Sequence, residues 1–270
     1  HNSNIKMMEF LPDEDKKAKS WMRSKGWSDG ELFVCLLVRD SAYLTQDNLH
    51  VNTYDYTYHA YRDSDISTYI EAMEWLADSG VWVFRMGKIM NVPISSKHPK
   101  IIDYAFCPEK SDLLDIWLFA NCDLCISTGS GPDAISDSYG RPMLLLNYLP
   151  ITHTFSWSNS LHVPKRLYWI ETNVCLSWSE YFDHDYTSTD DYKESGIKIV
   201  DLSSREILDF VKESWQKIDS TWVETEREVE LKKKFFKIAL QSNNFTKIND
   251  YIHPKFSISH TFLQSNQEMY

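Results

Sequence analysis

No stretch of this 270-residue chain approaches the ~18–20 consecutive apolar residues that a membrane-spanning helix needs, and none has the form of a signal peptide. Positive charge is also scarce. Against 39 Asp and Glu there are 28 Lys and Arg, a net charge of −11, with the acids spread along the chain. Nucleic-acid binding needs a basic stripe to displace phosphate counterions, so that class is excluded. Any phosphate the protein holds must be met by local groups. Cysteines number five, an odd count in mostly apolar surroundings, which fits a reducing, cytoplasmic compartment. Cys122-Asp-Leu-Cys125 has no second pair at zinc spacing and reads as buried free thiols. There is no internal repeat, no low-complexity linker and no GxSxG elbow, so hydrolase chemistry has no support.

What is present is apolar enough for a sizeable core: 43% hydrophobic residues and 25% charged. The aromatic share, 14% with ten Trp and fifteen Tyr, suits stacking on sugars as well as core packing. The chain begins with His rather than Met, so it reads as a fragment: a second domain is either upstream and missing or reduced to the segments 1–30 and 150–195. Lys232, Lys233, Lys234 and Lys237 form the one basic cluster, read as a solvated helix face or, alternatively, a peripheral contact with an anionic membrane.

Continuous apolar segments at 33–38, 81–84, 101–104, 124–127 and 142–146 read as fully buried strands. Segments with helical spacing alternate with them, one starting at a Ser64 or Asp65 cap and ending at Gly80, another capped by Ser111. That alternation predicts an α/β fold: a Rossmann-like parallel sheet with flanking helices. Further strands are expected at 167–170 and 197–200, and helices at 203–218 and 221–241. The division expected is a helical lead-in (1–30), a Rossmann-like domain (31–218), and C-terminal helices with a tail (219–270).

Polar groups gather at the carboxyl ends of the expected strands: Arg39 and Asp40, then Arg85 and Lys88, Asp103, and Thr128-Gly-Ser-Gly131. In a parallel sheet those ends share one rim, where ligands bind. The small residues of the 128–131 turn would let backbone amides approach a diphosphate, with a tight strand-to-helix turn as the alternative. No GKS or GKT follows it, and Ala134 stands where a dinucleotide fingerprint needs its third Gly. The hydroxyls of Ser127, Thr128 and Ser130, with Arg39, Arg85, Lys88 and Lys110, favour phosphate. Arg39 either neutralises a departing nucleotide phosphate or pairs with Asp40 or Asp63. Asp183-His-Asp185 reads as a solvated loop, and His50, His59 and His153 have no partner at ligand spacing. Without a DxD between apolar strands, a metal-dependent transferase is disfavoured; Asp63-Ser-Asp65 reads as a helix cap.

Val38-Arg-Asp-Ser-Ala-Tyr-Leu44, Tyr61-Arg-Asp-Ser-Asp-Ile66, Arg85-Met-Gly-Lys88, Ile101-Ile-Asp-Tyr-Ala105, Lys110-Ser-Asp112 and Thr128-Gly-Ser-Gly131 occur in order. Asp115-Ile-Trp-Leu-Phe-Ala120, Tyr139-Gly-Arg-Pro142, Leu144-Leu-Leu-Asn147 and the tail from Ile258 continue the series. This set resembles a family of bacterial glycosyltransferases encoded among surface-polysaccharide genes. More distantly, Leu37-Val-Arg39 and the stretch from Asp115 to Gly140 are similar to the GDP-fucose-dependent fucosyltransferases. The resemblance implies the nucleotide-sugar-binding half of a GT-B-type enzyme with a helical C-terminal extension. It would be metal-independent, cytoplasmic or at the inner face of the membrane, and would pass sugar from a nucleotide-sugar donor to a glycan or lipid-linked acceptor. Arg39, Asp40 and Asp103 are the expected catalytic residues. Arg39, Tyr43, Arg85, Lys88, Lys110, Ser111, Asp112, Thr128, Gly129, Ser130 and Gly131 would bind the donor. No metal site and no cofactor beyond the donor are expected. Leu37 stands where the fucosyltransferase pattern has His, which leaves a non-catalytic nucleotide-sugar-binding domain of a larger synthase as the alternative, with an epimerase of similar fold behind it.

Overall fold

A computed structural model describes residues 8–42 and 57–270; Tyr43 and His50 lie outside them. Seven strands form one sheet: β1 (Phe33–Leu37), β2 (Trp82–Arg85), β3 (Ile101–Ile102), β4 (Leu124–Ser127), β5 (Met143–Tyr148), β6 (Ser160–Pro164) and β9 (Ser257–Ile258). Their order is β3-β2-β1-β4-β5-β6-β9, and every pairing is parallel. The first six follow the doubly wound Rossmann order, with the switch between β1 and β4. β7 (Arg166–Trp169) and β8 (Ile197–Val200) pair antiparallel with each other in a separate two-stranded sheet.

All five strands expected in the main sheet are there; β1, β2, β4 and β5 are buried along their whole length and hence continuously apolar. Alternate residues feed two cores. Val34, Leu36, Val83, Ile126, Leu144 and Leu146 pack with the helices α2 (Ile70–Asp78), α7 (Ser204–Ile218), α8 (Glu226–Ala239) and α10 (His260–Ser265). Phe33, Cys35, Phe84, Cys125 and Leu145 pack on the other face, against α1 (Pro12–Ser24) and α3 (Asp112–Asn121). All five cysteines are free thiols, and Cys35, Cys122 and Cys125 are buried.

Local chemistry sets the helix boundaries. Asp65 accepts from Ser67 N at 2.8 Å, the expected cap, and Ser111 caps α3 by accepting from Leu114 N. Ser203 with Glu206, and Thr225 with Glu228, form capping boxes at α7 and α8. One expectation needs correction: the third strand has only two residues, because Tyr104–Phe106 turns into a 3-10 segment. The structure adds two strands to those expected, at 160–164 and 257–258. Through the second the tail joins the sheet: β9 hydrogen-bonds to β6, and Leu231, Phe235, Phe262 and Met269 belong to the same core as Val34.

Candidate functional site

The rim at the switch point is built from β1 and β4. Leu37 and Ser127 are register partners, so the two strands deliver Arg39 and Thr128 side by side. Thr128 N donates to Leu37 O (3.2 Å), and Arg39 N donates to Thr128 Oγ1 (3.0 Å). Across this seam lies the segment 61–65, where Ser64 N donates to Arg39 O at 3.0 Å. The segment brings Arg62 to the turn, its guanidinium donating to Gly129 O, and Asp63 to Arg39, with Arg39 Nε 2.9 Å from Asp63 Oδ1. The terminal nitrogens of Arg39 take no partner among the described residues, and Arg62 has no carboxylate partner there. Burial, opposed by Arg39, raises the Asp63 pKa from its ordinary value. His59 is close enough that burial, then Arg39 and Arg62, lower its pKa.

The 128–131 turn is held from beneath by Asp133, which is 1% exposed. Its Oδ2 accepts from Ser127 Oγ at 2.7 Å and from Ser130 N at 2.8 Å, while Gly129 N donates to Ser127 Oγ at 3.1 Å. Burial raises the Asp133 pKa, against those two donors. The expected cradle of open backbone amides is therefore corrected: Thr128, Gly129 and Ser130 already spend their N–H groups internally. Gly129 has φ +78°, and a Cβ there would lie 2.6 Å from Tyr148 Cε2, so only glycine passes over that ring. Gly131 faces open space.

Further along the rim, Asn147, the penultimate residue of β5, has φ +53° and donates to Ser64 Oγ (2.9 Å) and Tyr69 OH (3.1 Å). Lys165, just past β6, donates to Asp63 O at 2.6 Å and pairs with Asp201 at 2.8 Å. None of Arg62, Asp63, Asn147, Lys165 and Asp133 was assigned to the site from sequence. The Tyr61-Arg62-Asp63 run, and the strand-end rule applied to β6, are the signals that could have found them.

On the other side of β1 the expected residues form a second cluster with a different character. Arg85 is 0% exposed, pairs with Asp103 Oδ1 at 3.0 Å and donates to Val92 O at 3.2 Å; its Nε is buried without a partner. The other Asp103 oxygen accepts from Ile94 N at 2.9 Å. Asp40 accepts from Ala42 N (2.8 Å) and Asn91 N (2.9 Å). Lys110 donates to the carbonyls of Lys88 (2.6 Å) and Ala105 (2.7 Å), while Lys88 itself is exposed. Ser111 is committed to its helix, and Asp112 is exposed in the first turn. Arg85 and Asp103 are thus a buried pair that fixes the 92–94 segment, and Asp40 fixes the 91 loop. Placing Arg85 on an open rim, or Asp103 and Asp40 as unengaged bases, is corrected by these contacts. No group of three or more potential metal ligands occurs among the described residues, and none of their helices is long and apolar enough to cross a membrane.

Fold and rim together define a doubly wound α/β protein whose switch point brings Arg39 and Arg62 to the 128–131 turn. No protein-family model and no curated protein matches the chain. Among solved structures it is similar to the glycosyl transferase family 9 protein from Veillonella parvula DSM 2008, at 12% identity and a TM-score of 0.44. That match covers 58% of this chain and 42% of the other, so the chain spans less than half of that protein's length.

Proposed function

We propose that the chain is the nucleotide-sugar-binding half of a metal-independent, GT-B-like glycosyltransferase of surface polysaccharide synthesis. The observation that carries this reading is the convergence of two guanidinium groups on the switch point. Arg39 and Arg62 meet the 128–131 turn where β1 and β4 part; Asp63 takes Arg39 Nε, and Arg62 has no carboxylate partner among the described residues. A doubly wound sheet binds ligands outside its strand ends at the switch point, and the ordered motifs that resemble those of the glycosyltransferase family run through the same residues. The terminal nitrogens of Arg39 present a fork to phosphate oxygens, and Arg62 adds a second charge where a departing nucleoside diphosphate would build up negative charge. Gly131, open to solvent, admits the ligand close to the turn. For the general base, Asp63 is better suited than Asp40 or Asp103: its Oδ2 takes no hydrogen bond among the described residues, and its pKa is raised.

A second reading, a non-catalytic nucleotide-sugar-binding domain of a larger synthase, is favoured by Leu37 in place of His and by the engagement of Asp40 and Asp103. Release of nucleotide from a bound donor separates the two, since binding without turnover leaves only the second.

The test is a panel of UDP, GDP, CMP, ADP and their sugars, scored by thermal shift and calorimetry. Arg39→Ala should weaken binding of the responding nucleotide by about 1.5–3 kcal/mol, the range for hydrogen bonds to charged groups. Unchanged affinity with a lowered melting temperature would mean that Arg39 serves only its pair with Asp63. Basic side chains would take the phosphate charge, so EDTA should leave nucleotide affinity unchanged; loss of affinity restored by magnesium or manganese contradicts the metal-independent mechanism.

A further inference from the structure

At the opposite edge of the sheet, a groove of about 440 Å³ opens between the starts of β5, β6 and β9 and the helices α7 and α8. Lys217, Trp222, Glu224, Lys232, Lys255 and His260 are among its walls. His260 opens α10, and its backbone is fixed by Glu213, which is buried. That carboxylate accepts from His260 N (2.9 Å), Thr261 N (3.0 Å), Ser259 Oγ (2.5 Å) and Lys217 Nζ (2.6 Å). His260 is only 2% exposed, yet neither ring nitrogen has a hydrogen-bond partner among the described residues. Glu224 stands 3.1 Å from Nε2 without the alignment of a hydrogen bond, and Glu228 is 4.0 Å from Nδ1.

Trp222 repeats the pattern: its Nε1 is buried and unpartnered, beneath the Lys217 ammonium, which lies 5.2 Å from the ring centroid. Neither Lys232 nor Lys255 has a side-chain hydrogen bond or ion pair among the described residues, although Lys232 is half-buried. Burial lowers the Lys232 pKa, with Glu224 opposing and Lys217 assisting; burial and Lys217 also lower that of His260. A neutral imidazole offers one donor and one acceptor. The buried groups left unsatisfied here are therefore an indole N–H and the imidazole with its one N–H and one acceptor, with the half-buried Lys232 and the exposed Lys255 beside them. Buried polar groups in a native fold are normally satisfied, and acceptor oxygens carried by an anion would answer both N–H groups and the two ammoniums.

We propose that this groove is a second ligand site, taking a compact molecule with a phosphoryl or carboxylate group whose oxygens satisfy Lys232, Lys255, Trp222 and His260. The six residues of β5 put it ~20 Å from the switch-point rim. It stands or falls independently of the nucleotide-sugar reading.

The experiment follows the ring nitrogens of His260 by NMR in the full chain with ¹⁵N-labelled histidine. Inorganic phosphate, glucose 6-phosphate, glucuronate and neutral glucose are the probes. Phosphate and glucose 6-phosphate, or glucuronate, should move the His260 signals saturably, and which of them does so identifies the oxyanion. Lys232→Met should weaken that response by roughly tenfold or more, as expected for a lost hydrogen bond to a charged group. Lys255→Met serves as the second variant if Lys232→Met does not fold. Arg39→Ala should leave the titration unchanged. No saturable shift at roughly 10 mM probe, beyond the millimolar range of weak ligands, overturns the site. So does an equal response to neutral glucose, or an undiminished response in the lysine variant.

Discussion

Between Tyr148, Phe155 and Phe256, the imidazole of His162 lies near edge-on to three rings, with centroids 5.0, 6.1 and 5.3 Å away. Its Nε2 is 3.1 Å from Ser160 Oγ, and Nδ1 has no partner. Burial pushes its pKa down to about 3. The unfolded chain, with a histidine pKa of about 6.5, binds the proton that the fold refuses. The contribution of His162 to stability is therefore fully present above that value and is lost as pH falls towards about 3, at about 1.4 kcal/mol per pH unit. Urea unfolding at pH 6.5 and pH 5 should show the stability of wild type falling relative to His162→Gln by about 2 kcal/mol. A pH-independent difference between the two proteins would mean that the ring is protonated in the fold. His162 carries no sign of this in its sequence context, because Ser-Leu-His-Val-Pro does not read as a strand, and without the strand nothing indicates a buried ring. Arg39 is the opposite case. It directly follows a legible strand, and both readings of it, phosphate ligand and partner of Asp63, were available from the residues; the structure shows the pair with Asp63 made and the terminal nitrogens without a partner among the described residues.

At the scale of elements, β2 and β3 are joined by only two register pairs, and the Arg85–Asp103 contact does much of the remaining work. Asp103 connects the end of β3 to Ile94, and Arg85 connects the end of β2 to Val92. Removing one partner of such a pair leaves an uncompensated buried charge, so Asp103→Ala should cost about 3–5 kcal/mol. Arg85→Met combined with Asp103→Leu should recover a large part of that loss. Chemical denaturation of the three proteins checks this; a loss of only about 1 kcal/mol in Asp103→Ala would place the pair among weak exposed ones. The same element shows where reading from sequence stops. Topology brings every strand end to the rim, but it does not say whether a side chain there runs outward or folds back over the sheet. Arg85 folds back. The segment 61–65 failed for another reason: a loop without periodicity gives no hint of which strand ends it will cross, so Arg62 and Asp63 were legible as a helix lead-in but not as rim groups.

For the whole molecule, the parallel sheet and its flanking helices were legible because continuous apolar strands and helical spacing alternate for over a hundred residues. The later chain was less so. β9 has two residues, too few for any pattern, and its place beside β6 depends on long-range packing of α8 and α10 rather than on local preference. Charge is arranged locally within an acidic protein. Guanidinium groups gather at the carboxyl ends of the strands and ammonium groups at the amino ends near β5, β6 and β9. The shape of the sheet has one more consequence. It ends on both sides in strands of two residues, Ile101–Ile102 and Ser257–Ile258. An exposed row of unpaired backbone groups is the template on which sheets of neighbouring molecules join, and two residues offer almost none of it. Seven strands' worth of strongly apolar sequence is therefore built so that neither edge of this sheet offers a neighbouring molecule more than two residues to extend.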